Sequence, residues 1–64
     1  MKTLVAEISI DSPKNTMNIY HSEINDKSYW SVENYRGEEI HVLCESFDQA
    51  VKYSCKYLGL IYYK

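Results

Sequence analysis

The feature that most constrains this chain is one fully punctuated helix signal near its end, residues 46–59, preceded by forty-five residues that carry no second one. Ser46 can accept from the backbone N–H of Gln49 while the Gln49 side chain reaches back, the capping-box arrangement. Asp48 suits the positive end of the helix dipole. Phe47, Ala50, Val51, Ser54, Cys55 and Leu58 fall on one stripe at the 3.6 period, with Asp48, Gln49, Lys52 and Lys56 towards solvent. Gly59 can take the left-handed C′ conformation, with Leu60 folding back on Cys55 in a Schellman ending. The spacing predicts a helix over 47–58. A lone amphipathic helix must bury its stripe on something else, and only the preceding residues can supply that surface.

Those residues alternate at period two. Leu4, Ala6, Ile8 and Ile10 share a parity opposed by Val5, Glu7 and Ser9. Asp11-Ser12-Pro13-Lys14-Asn15 supplies turn chemistry, and Met17 and Ile19 then alternate with Thr16, Asn18 and Tyr20 as far as His21. After Asn25-Asp26-Lys27, Trp30 and Val32 alternate with Tyr29, Ser31 and Glu33. After the turn 35–38, Ile40, Val42 and Cys44 alternate with His41 and Leu43. The prediction is an α+β fold: a four-stranded antiparallel meander with one C-terminal helix on one face, β-β-β-β-α, with 61–64 as a short fifth strand or an extended tail. The expected core is Leu4, Ala6, Ile8, Ile10, Met17, Ile19, Trp30, Val32, Ile40, Val42 and Cys44 beneath the helix stripe.

Size and charge narrow the function. Sixty-four residues form a single small domain, 1–64, burying only about 60% of the unfolded surface, which leaves no room for a large cofactor fold. Seven basic against nine acidic residues argue against affinity built mainly on phosphate neutralisation. Glu7 interrupts the N-terminal apolar residues too early for a signal peptide, and no window is long enough to span a membrane. The expected location is therefore cytoplasmic, with Cys44 and Cys55 as free core thiols.

No catalytic, metal or cofactor site is expected. His21, His41, Cys44 and Cys55 are the only soft ligands, without a clamp spacing; His41 and Cys44, three apart on a strand, point to opposite faces. The buried thiols are inert, Glu38-Glu39 sits in a turn, and a two-layer domain offers no evident cleft for a nucleophile and its base.

The sheet face away from the helix has no element left to cover it, and it collects Tyr20, Tyr29, Tyr35, His41 and Leu43. Tyrosine is at home on a strand, with its ring on the sheet and its hydroxyl in water, and it is also a residue of contact surfaces. Tyr53 and Tyr57 flank the helix stripe and finish the core edge, and Tyr62 and Tyr63 close the chain. Between Glu33 and Asp48 five carboxylates face Arg36 alone, an asymmetry suited to a basic partner. The expected function is a non-enzymatic protein-binding module, an inhibitor or adaptor of the phage or mobile-element anti-defence kind, acting by steric occlusion. Tyr20, Tyr29, Tyr35, His41 and Leu43 form its contact face, and Glu38, Glu39 and Glu45 its steering charges. A bare apolar face also invites a homodimer.

Nucleic-acid binding is the alternative from another class, with Tyr20, Tyr29 and Tyr35 as a stacking platform. Trp30 in a strand, Gly37 in the turn and Ser46-Phe47-x-x-Ala50 opening the helix give residues 29–58 a strand–turn–strand–helix run. It resembles the three-strand-plus-helix DNA-binding domains at the N-terminus of phage and transposon integrases. That resemblance implies the topology and DNA binding; the basic residues with which such domains hold DNA are missing from the matching strands.

Overall fold

The structure, a computed structural model, describes residues 2–59, with the side chains of residues 12–14 outside the description. Four strands, β1 (Lys2–Ile10), β2 (Ser12–Ile24), β3 (Lys27–Asn34) and β4 (Glu39–Cys44), are followed by one helix, α1 (Phe47–Leu58). They form a single antiparallel sheet in the order β1-β2-β3-β4, the expected β-β-β-β-α meander. The segment 61–64, expected as a strand or tail, lies outside the described residues.

Each connection follows from its turn chemistry. At the first hairpin Asp11 alone forms the tip, with φ +63°, and Ile10 faces Ser12. Because Ser9 already faces Thr16, the intervening residues of β2 are taken up as an irregularity, so the expected loop 11–15 is mostly strand. Asn25 and Asp26 both have positive φ, as a two-residue type I′ turn requires, and they hold Ile24 opposite Lys27. That tight turn extends β2 and β3 beyond the stretches their alternation marks. Asn34 organises the third turn: its Oδ1 accepts from the backbone of Arg36 and Glu38, its Nδ2 donates to the Glu38 carboxylate, and Gly37 takes φ +80°.

The helix has its predicted bounds and caps. Ser46 Oγ accepts from the Gln49 N–H at 3.0 Å, and Gly59, at φ +78°, donates to the carbonyls of Cys55 and Lys56. The other half of the capping box differs. Gln49 Oε1 accepts from the N–H of Glu45 rather than of Ser46, so the box closes one residue further out. The predicted Leu60 contact lies outside the described residues.

The core is Met17, Ile19, Val32, Cys44 and Ala50, with Ala6, Ile8, Trp30, Ile40, Val51, Tyr53 and Leu58 packed around it. Burying each of the larger apolar side chains contributes about 1.5–3 kcal/mol. Ser54 is tolerated inside because its hydroxyl donates to the Ala50 carbonyl at 2.8 Å.

Three expected core positions are corrected. In β1 a bulge at Val5 sets Leu4 opposite Tyr20 but Ala6 opposite Ile19, so Leu4 leaves the core face and stands 51% exposed. In β4, Val42 is exposed for a related reason given below. Phe47, at the start of the helix stripe, is exposed as well.

Candidate functional site

The five residues expected on one contact face, Tyr20, Tyr29, Tyr35, His41 and Leu43, do not share it. Tyr20 and Tyr29 do share the face away from the helix: Tyr20 is opposite Ser31, Tyr29 opposite Ser22, and both are half-buried. Tyr35 stands in the β3–β4 turn, its hydroxyl accepting from Arg36 Nε at 3.0 Å. Glu38 is bound to Asn34 in the same turn, Glu39 opens β4 opposite Glu33, and Glu45 lies between β4 and α1. All three carboxylates are exposed.

His41 is on the other side of the sheet from its expected place. The register of β4 breaks twice against β3. Glu39 faces Glu33, but His41 faces Val32, so Ile40 is an extra residue and the parity of the strand reverses. His41 thereby turns to the helix side and stacks on Tyr53, ring centres 3.9 Å apart and planes within 13°. The second break lies between His41 and Cys44, which faces Trp30, and it restores Cys44 to the core while pushing Val42 and Leu43 outward. Leu43 has φ +59°, a left-handed conformation that is sterically costly for a branched, bulky residue. Val42 and Leu43 are 54% and 56% exposed.

The face away from the helix is less bare than its lack of a covering element suggests. Glu7, Asn18, Glu33 and Glu39 align in one row across the four strands. Glu33 is nonetheless only 6% exposed, because Lys2 reaches across from the outer strand, pairs with it, and lies 4.8 Å from the Tyr20 ring centre. The hydrogen bond to Glu33 raises the Lys2 pKa above its ordinary value. On the same face Ser9 and Thr16 join hydroxyls at 3.0 Å. Internal polar contacts thus occupy part of this face, while the buried Asn18 Oδ1 in the same row makes no hydrogen bond among the described residues.

The helix side of β4 holds a cavity of about 280 Å³, lined by His41, Tyr53, Lys56 and Tyr57, where no cleft was expected. Tyr53, Lys56 and Tyr57 stand at i, i+3 and i+4 and therefore share a helix face, a relation legible in the sequence. His41 joins them only through the β4 bulge, which nothing in its neighbouring residues announces. Tyr53 is held twice, by the stacked imidazole and by Gln49 Nε2 donating to its hydroxyl at 3.4 Å. Beneath the strand, Cys44 is a buried free thiol whose pKa is raised by burial.

Among the described residues no group of His, Cys, Asp and Glu side chains is arranged to hold a metal ion, and no helix is long and apolar enough to cross a membrane. The chain matches no protein-family model, no curated protein and no solved structure.

Proposed function

We propose that the protein is a small non-enzymatic binding module, working in the cytoplasm as a phage-type or mobile-element inhibitor or adaptor that occludes the surface of a partner protein. The observation that carries this reading is the double break in β4. Val42 and Leu43 are adjacent apolar side chains, both mostly exposed, with Leu43 in a conformation that costs free energy. Strained backbone of this kind concentrates where a side chain must be presented. Phe47 and Tyr57 are also exposed on the helix that follows. The contact surface is accordingly centred on the β4 edge and not on Tyr20 and Tyr29.

Charge selects the partner. Glu38 and Glu39 precede the exposed pair and Glu45 follows it, so the edge is an apolar patch between carboxylates and suits an apolar patch rimmed by Lys or Arg. The same carboxylates oppose a second copy of this chain, since edge-to-edge pairing through β4 brings like charges together. The bulges also make β4 a poor template for a further strand.

Affinity capture with the wild-type chain, the double variant Val42→Asp/Leu43→Asp and the double variant Tyr20→Ser/Tyr29→Ser tests this reading. It predicts a captured protein with a basic surface, lost with the first variant, kept with the second, and bound more weakly as salt rises. Capture that survives the β4 substitutions, or that fails only with the tyrosine variant, returns the contact surface to the far sheet face.

A further inference from the structure

The cavity beside β4 has a chemistry different from the acidic edge next to it. Among the described residues its lining is two phenols, one imidazole and one ammonium, with no carboxylate, although the chain as a whole carries net charge −2. We propose that this cavity is a binding site for a small planar aromatic anion of nucleoside monophosphate size.

Three observations point to that class. The walls are aromatic: Tyr57 is 59% exposed, while the Tyr53 ring is already fixed by His41 and Gln49 and loses little freedom when a ligand arrives. The polar groups suit an anion with hydroxyls beside it. Among the described residues Lys56 supplies the only full positive charge in the lining. The Tyr53 oxygen accepts from Gln49 and so keeps its own proton to donate. The space of about 280 Å³ is near the lower end of small-ligand cavities, on the order of 300–1,000 Å³, and takes a base, a sugar and one phosphate rather than an extended polymer.

In this arrangement a purine or pyrimidine stacks on Tyr57, the phosphate meets Lys56, and the Tyr53 hydroxyl reaches the sugar or phosphate edge. Base stacking on an exposed tyrosine tolerates many bases, so affinity tracks the ring and the phosphate together more than base identity. The lining includes neither Val42 nor Leu43, so the β4 substitutions that test protein capture leave this site intact, although the two surfaces share Tyr57.

Titration of the ¹⁵N-labelled chain with AMP, UMP, adenosine, inorganic phosphate and phenyl phosphate, followed by amide shifts, tests the assignment. Saturable shifts at His41, Tyr53, Lys56 and Tyr57 are expected with AMP and UMP. Adenosine and phosphate should bind at least about tenfold more weakly, each lacking half of the recognition, and Lys56→Gln or Tyr57→Ala should weaken AMP by a similar factor. Both substituted residues are exposed, and an otherwise unchanged amide spectrum shows that each variant is folded. Phenyl phosphate, which keeps a ring and a phosphate in a smaller molecule, should bind between AMP and inorganic phosphate, and the proposal is overturned if AMP gives no saturable shift at these residues, if adenosine or inorganic phosphate binds as tightly as AMP, or if AMP binding is indifferent to both substitutions in folded protein.

Discussion

The two halves of the sheet obey different rules. Between β2 and β3 the register runs unbroken from Met17–Asn34 to Ile24–Lys27, so every second residue falls on one face and Ile19 and Val32 meet in the core. Between β3 and β4 the register breaks twice in six residues, and the apolar residues of the edge strand are divided between core and solvent. The difference teaches where function can reside in so small a fold. The regular half has no latitude, because a one-residue slip would turn all its apolar side chains outward. Among the described residues β4 is paired on one side only, so it can bulge, expose Val42 and Leu43, and bring His41 round to the helix without disturbing the core.

Five measurements bear on this contrast, beginning with the largest effect. Ile19→Ala, in the regular half, should destabilise by about 2–5 kcal/mol, enough to unfold much of a domain this small, whereas Val42→Ala on the edge should change stability by less than about 0.5 kcal/mol. Equal effects in urea unfolding would erase the distinction between the halves.

Lys2 and Glu33 come next, since a carboxylate that is 6% exposed depends on its one cation. Lys2→Met should lower the melting temperature, and Lys2→Met/Glu33→Gln should recover most of that loss, because the double change leaves no buried charge uncompensated. A double variant as unstable as the single one would show that Lys2 acts by packing alone. The same ion pair shapes the alkaline limb of the stability profile. Lys2 and Cys44 both have pKa values raised in the folded state, above ordinary values of 10.5 and 9.0, so the native chain holds more protons than the unfolded chain above those values. The contribution of these two groups to stability is full below about pH 9 and is lost as pH rises beyond it. Lys2→Met should remove the part of the fall that begins above about pH 10.5.

Ser46→Ala should cost about 1 kcal/mol in thermal or urea unfolding, the ordinary value of an N-cap. The cost should be nearly unchanged in a Gln49→Ala background if Gln49 acts on Glu45 and Tyr53 rather than on Ser46, as its hydrogen bonds indicate. The smallest effect belongs to Leu43→Gly. Relief of the left-handed strain, roughly 1–2 kcal/mol, is offset by about 0.5–1 kcal/mol of glycine entropy, so the variant should be as stable as wild type or slightly more so. If it also captures less partner, Leu43 is held in its strained conformation for binding and not for the fold. If it loses stability, the leucine makes a packing contribution that its exposure conceals.

The helix was legible to the residue because its signals are local: a cap at Ser46, a stripe at the 3.6 period and a glycine at 59 each act within a few residues of chain. The strands were legible as strands for the same reason. Their faces were legible only while the alternation ran uninterrupted, which holds for Met17, Ile19 and Val32 and fails for Leu4, Val42 and His41. A bulge adds one residue and reverses the parity of everything after it, and neither Val5 nor Ile40 differs in type from an ordinary strand residue. Leu43 is the extreme case, since a left-handed turn is read from glycine or asparagine and not from leucine. Of the candidate site, the neighbourhood of Tyr53, Lys56 and Tyr57 was open to sequence reasoning, whereas the addition of His41 was not.

By itself, the sequence determined that this chain makes four antiparallel strands and one capped helix, because propensity, periodicity and turn chemistry are short-range and agree with one another. The tertiary structure alone decided which residues the edge strand presents. Register is a property of two strands together, set by how β4 meets β3 and how the helix closes over both, and no run of residues within one strand encodes it.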